Sequence, residues 1–337
     1  MKRSILAVCD LEKAYAYHFM EYINQKKSIP FEIQAFTSAQ LVAAYAKEHA
    51  VEILLISDKA MCAEIAELEI GKIIILSEGV HAPLLDQFPS VYKYQSSDAV
   101  IREVMACYGE GKEVQPLSVI KNKTELIGIY SPVGRVLKTS FALTMGQVLA
   151  RQKAVLYLNL EEYSGFETLF SQVYEHNLSD LLYYIRQDHS NIVLKLNRIV
   201  QSVNNLDYLP PVLSPADIRS TTAQEWTQLI EEIVKNSVYE TVILDFGDGV
   251  DDLYHILNLC DRIYMPVVND MVSQAKISQF ENLLVMWDMG ELLNKIEKIR
   301  PPYHNSFGNG DSYVQQLMWS ELGDYVRNLL RSEKERG

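Results

Sequence analysis

The chain has 337 residues, of which 48% are hydrophobic, enough to bury two cores, and its 44 Asp/Glu against 31 Lys/Arg leave a net charge of -13. The acidic excess runs through both halves, with 11 basic against 16 acidic residues up to position 120 and 20 against 28 beyond it, so no basic arm or patch invites nucleic acid. Cys9, Cys62, Cys107 and Cys260 form no CxxC and no regular spacing, which argues against a disulfide framework or zinc site and for buried thiols. The apolar run from Ile5 to Cys9 is too short for a signal peptide and no run approaches a membrane span, so the expected location is cytoplasmic.

In chain order, Ser4 to Val8, Phe31 to Phe36, Val51 to Ile56 and Lys72 to Leu76 are short, β-branched-rich runs that predict strands. Helical patterns at Ala14 to Gln25, Ala39 to His49 and Met61 to Leu68 separate them, and Tyr92 to Tyr94 with a helix over Ser97 to Tyr108 completes a fifth unit. Alternating strands and helices imply a parallel sheet covered on both faces. Five such units resemble the receiver domain of two-component signalling. That domain gathers acids and a phosphoacceptor Asp at its strand ends, where this chain has Cys9-Asp10 and Ser57, with Asp58 one residue late. Ser77 and Lys93 match its switch hydroxyl and lysine. The resemblance therefore implies a receiver-like binding module over residues 1–110 that is not phosphorylated.

Residues 111–124 lose periodicity and gather Gly, Lys and Glu around Pro116, as a linker does. The second domain, 125–337, opens on an apolar run from Leu126 to Tyr130, a Ser-Pro-Val-Gly turn, and Lys138-Thr139-Ser140 at the head of a helix. Strand, loop, helix is the layout of the phosphate-binding template GxxxxGK[ST], in which loop N–H groups and the helix N-terminus face phosphate, Lys neutralises it and Ser/Thr holds Mg. Lys138 and Thr139 fit the template, whereas Pro132 and Leu137 replace its glycines. Farther on, Ala154 to Leu160 predicts a buried strand, Leu178 to Gln187 a helix, Asn204 to Pro215 a rigid loop, and Thr222 to Lys235 an amphipathic helix. Thr241 to Asp245 reads as a buried strand ending in a carboxylate before the glycine-containing Phe246 to Val250, the place of a Mg-supporting acid. Arg262 to Val268 predicts another strand. In the last helix Leu322, Tyr325, Val326, Leu329 and Leu330 form a stripe expected to dock on the protein's own core, membrane contact being the alternative.

The second domain resembles the MinD/ParA class of deviant phosphate-loop ATPases, whose KGGxGKT aligns with Val133 to Thr139. A receiver-like domain ahead of such an ATPase is similar to the TadZ/CpaE proteins of tight-adherence (Flp) pilus assembly. The expected fold is thus α/β, two doubly wound parallel-sheet domains. The resemblance implies ATP and Mg2+ as ligands, with Gly134, Arg135, Lys138, Thr139, Ser140 and Gly249 around the nucleotide and Thr139 and Asp245 at the metal. It places the carboxylate that positions the attacking water at Asn159, with Glu161 two residues on, and the class's cross-subunit lysine at Val133. Binding with little hydrolysis follows, in a homodimer that serves pilus or secretion machinery at the cell pole or the inner face of the membrane. An active ATPase in which Arg135 and Glu161 compensate, and a ParA-like partition protein, are the alternatives.

Overall fold

The computed structural model describes residues 4–26, 29–79, 85–95, 97–109, 123–187, 192–303 and 313–334. Contacts divide the chain into two units, Met1–Ile120 with Val193–Arg198, and Lys121–Ile192 with Ile199–Gly337. Most of the linker expected at 111–124 lies outside the described residues.

The first unit is a five-stranded parallel sheet of β1 (Ser4–Cys9), β2 (Phe31–Phe36), β3 (Val51–Ser57), β4 (Lys72–Ser77) and β5 (Ser90–Tyr92), in the order β2-β1-β3-β4-β5. This is the flavodoxin-like doubly wound order. Side chains alternate across the sheet, so Leu6 and Val8 join one core with Phe19, Ile23 and Val104, while Ala7 and Cys9 join the other with Val42 and Ile65. The fifth strand precedes the expected Tyr92 to Tyr94, because Val91 is the residue that packs into the core whereas Tyr92 and Tyr94 are exposed. Cys62 is also exposed and so departs from the expectation of buried thiols.

The second unit carries seven strands: β6 (Glu125–Ile129), β7 (Val155–Leu160), β8 (Gln201–Val203), β9 (Leu206–Leu209), β10 (Thr241–Phe246), β11 (Arg262–Pro266) and β12 (Ile296–Ile299). Their order is β12-β11-β6-β10-β7-β9-β8, parallel throughout except for the antiparallel β8–β9 pair. Part of the rigid loop expected from Asn204 is therefore a strand. Asn204 and Asn205 both take positive φ, which a two-residue hairpin turn of the I′ type requires and which Asn tolerates. Local chemistry sets the neighbouring helix starts. Asn177 and Asp180 form a reciprocal capping box before Leu178–Arg186, and Thr222 with Glu225 does the same before Ala223–Asn236. The last helix, Glu321–Lys334, docks on this unit's core, where Leu322 and Val326 are buried in a cluster that includes Phe141 and Met145.

Candidate functional site

Strands β6, β7 and β10 lie side by side, and their register brings Asp245 level with Ile129 on one neighbour and Asn159 on the other. Their carboxyl ends meet the loop from Tyr130 and the helix Lys138–Leu149, so the segments singled out in the sequence converge at one end of the sheet.

The loop is built from apolar anchors and unusual backbone. Val133 and Val136 are buried, Ser131 Oγ accepts from the Val133 N–H, and Gly134 and Arg135 are exposed. Arg135 and Leu137 both sit at positive φ, 61° and 62°, where a Cβ costs roughly 1–2 kcal/mol. The loop thus keeps a glycine-type backbone without the glycines. Leu137 is also the N-cap residue of Lys138–Leu149 and offers no side-chain cap, which leaves the first N–H groups of that helix open to an anion.

Lys138 is the centre of the site. Its ammonium lies 2.8 Å from Glu161 Oε1 and 3.9 Å from Asp245 Oδ1, and it donates to the Phe246 carbonyl. Thr139 Oγ1 donates to Glu161 Oε2 at 3.0 Å. Burial opposes the lysine's charge, but Asp245 and Glu161 outweigh it and hold Lys138 above its ordinary range. Burial pushes the Asp245 carboxyl up to about 7 against the pull of Lys138, with Glu161 adding its repulsion. Asp245 Oδ2 accepts from Tyr157 Oη at 2.9 Å, while Oδ1 is buried with no hydrogen-bond partner among the described residues.

The remaining expected site residues are placed differently. Asn159 is buried and fully engaged: its amide donates to Tyr157 Oη at 3.0 Å and to Asp245 Oδ2 at 3.3 Å, and its carbonyl accepts from the Glu161 N–H at 3.1 Å. It braces Asp245. The Ser140 hydroxyl is 2.7 Å from that of Tyr313. Gly249 faces Glu162, whose carboxylate occupies the space of a Cβ there, and at Gly247 a Cβ would come within 2.9 Å of the Glu161 Cα. These glycines let the β10 loop pass close to the end of β7. Arg135 has no ion pair among the described residues. Sequence reading missed Tyr157, although it precedes Asn159 by two residues and so shares its face of β7. It also missed Tyr130, whose hydroxyl donates to Asp248 Oδ1 at 3.1 Å.

Thr139 and the unpartnered Asp245 oxygen suit Mg2+, which takes one or two protein oxygens and completes its shell with water and phosphate. No cluster of three or more His, Cys, Asp or Glu able to hold a metal occurs among the described residues.

No family model matches the chain, and a comparison with curated proteins finds no match. Solved structures similar to it include the ParA family ATPase of Chlorobium tepidum, 19% identical over 52% of this chain and 73% of that one, with a TM-score of 0.44. A plasmid partition protein of Borrelia burgdorferi is 13% identical over 61% of this chain and 100% of that one, TM-score 0.42. The MinC:MinD cell division complex of Aquifex aeolicus is 18% identical over 52% and 67%, TM-score 0.39. At these identities and TM-scores the likeness lends nothing to a functional reading, which rests on the residues alone.

Proposed function

We propose that the second unit binds a Mg-nucleotide, ATP by the resemblance of its sequence, and hydrolyses it slowly at most. The observation that carries this reading is the convergence of Lys138, Thr139 and Asp245 at an uncapped helix N-terminus, a cation, a hydroxyl and an acid suited to phosphate and Mg. Mg2+ bound there would neutralise phosphate charge. Lys138 would hold the phosphates, Thr139 and Asp245 the metal, with Gly134 and Arg135 at the loop and Ser140 in the first turn of the helix.

Glu161 has a double part. Its carboxylate lies two residues beyond the position where a catalytic base is expected, yet it occupies both Lys138 and Thr139. Nucleotide has to displace it. Two groups that would act on the transition state are replaced, by buried Val133 and by Asn159, which is already bonded on both ends of its amide. Losing one preorganised partner of a developing charge costs about 100-fold to 1000-fold in rate.

The wider role proposed is that of a localisation or assembly factor for a Flp-type pilus or related secretion machine, acting as a homodimer at the cell pole or the inner face of the membrane. Its support is the sequence resemblance and the order of the two units. Calorimetric titration of the full chain with Mg-ATP, beside a turnover assay on the same sample, tests the nucleotide reading. Expected are saturable binding, at least tenfold weaker binding in Lys138→Ala, tighter binding in Glu161→Gln, and turnover near background. Absence of saturable binding at millimolar nucleotide would overturn the reading; rapid turnover abolished in Glu161→Gln would make the protein an active ATPase instead. Sedimentation with and without Mg-ATP tests the homodimer, and a monomer in both conditions rejects it.

A further inference from the structure

A cavity of the same unit opens at the amino ends of β6 and β11, the end of the sheet opposite Lys138 and Asp245. Its volume is about 390 Å³, within the range of small-molecule sites. Five cations line it, Arg151, Lys153, Arg262, Arg327 and Arg331, in a chain whose net charge is -13.

Three of these are neutralised. Lys153 pairs with Glu125 at 3.0 Å, Arg262 with Glu333 at 2.6 Å, and Arg327 with Asp324 at 2.7 Å. Arg151 and Arg331 have no carboxylate partner among the described residues; the Arg151 guanidinium lies over the ring of Trp319, 5.1 Å from its centroid. Compensation of a helix end is the simpler account of these charges, since Lys138–Leu149 finishes beside the cavity. A helix C-terminus presents roughly half a negative charge, which accounts for less than one of the two free guanidiniums. Positive charge is left over. Ile127, Val148, Leu149 and Leu330 supply an apolar wall next to it.

We infer that this cavity binds an organic phosphate ester, with the phosphate between Arg151 and Arg331 and an apolar or aromatic group against the aliphatic wall. Arginine suits that task because its planar fork meets phosphate oxygens in pairs and stays charged at any physiological pH. The inference stands apart from the nucleotide reading, because the two sites share no residue.

The test is calorimetric titration of the full chain with 1-naphthyl phosphate. Saturable binding is expected, at least tenfold weaker in the double variant Arg151→Gln/Arg331→Gln and unchanged in Lys138→Ala. Both arginines are exposed, and the double variant Arg151→Lys/Arg331→Lys, which keeps charge but not the fork, should fall between wild type and the glutamine variant. A flotation arm with vesicles of phosphatidylglycerol or phosphatidylcholine separates the sources of the ester. Flotation on the anionic vesicles alone, lost in the glutamine variant, assigns the site to a lipid headgroup, whereas naphthyl phosphate binding without flotation assigns it to a soluble ester. Absence of both overturns the inference, as does naphthyl phosphate binding that Lys138→Ala abolishes or that inorganic phosphate matches at equal affinity.

Discussion

At Asp245 a single carboxyl group couples stability to pH and, on the proposed reading, to ligand binding. Its proton is held up to about 7 in the folded chain, chiefly by burial, and leaves near the ordinary value of 3.8 once the chain unfolds. Between those values the folded state keeps a proton that the unfolded state has lost, so stability falls as pH rises and the loss is complete above about 7. Asp245→Asn removes this dependence. Thermal melts of both proteins from pH 5 to pH 8 should show the asparagine variant gaining on wild type as pH increases, and a constant difference would contradict the assignment. Mg2+ needs the anion, so Mg-nucleotide affinity should rise over the same interval. None of this was legible from Asp245 as a strand-end acid. Its pKa depends on burial, on Lys138 from the helix after β6, and on Glu161 and Tyr157 from the β7 segment, which are contacts of tertiary structure. Leu137 was legible in part: the template marked it as standing where glycine belongs, and its φ of 62° makes the strain real.

At the scale of elements, periodicity was readable wherever one face is buried and failed where turn chemistry decides. The last helix is the clear success, since the stripe containing Leu322 and Val326 packs on the core as its spacing requires. The hairpin of β8 and β9 is the failure. Leu206–Leu209 is short and follows two asparagines and an exposed turn, so it offers too few residues for alternation to stand out. Asn-Asn is a weaker signal than Asn-Gly for the same turn. That difference predicts a stabilising substitution. Among the described residues Asn205, at φ 68°, makes no side-chain hydrogen bond, whereas the Asn204 amide donates to buried Gln147 at 2.8 Å. Asn205→Gly should raise unfolding free energy by about 0.5 kcal/mol through relief of positive φ, whereas Asn204→Val should lower it by roughly 2 kcal/mol through a strained β-branched residue and a lost partner for Gln147. Urea titrations of the two variants decide this. A destabilised Asn205→Gly would show that the second turn position is not strained.

Across the whole molecule, the same event has happened twice: in each unit the lysine at the carboxyl edge of the sheet is held by the chain's own acids. In the second unit these are Glu161 and Asp245. In the first, Lys93 is buried, 2.9 Å from Asp10 and 3.2 Å from both Glu12 and Glu78, with the Tyr15 ring 4.9 Å away. Burial opposes the charge of Lys93, but these carboxylates prevail and hold it above the usual lysine range. The sequence made Asp10, Ser57 and Lys93 legible as positions. Glu12 and Glu78 were not, because each reaches Lys93 from a loop after a strand. Three acids around one buried ammonium hold Lys93 within the chain's own ion pairs. Ser57 Oγ, at the place of an acceptor, is buried without a hydrogen-bond partner among the described residues, and a serine hydroxyl forms no acyl phosphate. Asp58 is the remaining nearby carboxylate, and it caps the Lys59 N–H at 2.7 Å on the exposed side of the turn, away from that buried corner. Incubation of the full chain with acetyl phosphate and Mg2+ should therefore leave its intact mass unchanged. Lys93→Ala, which frees the three acids, should also remain unmodified, since it restores no acceptor, but should melt at lower temperature as the carboxylates lose their shared cation. A stoichiometric gain of one phosphate on the first unit of the wild-type chain would show that the unit is a working switch.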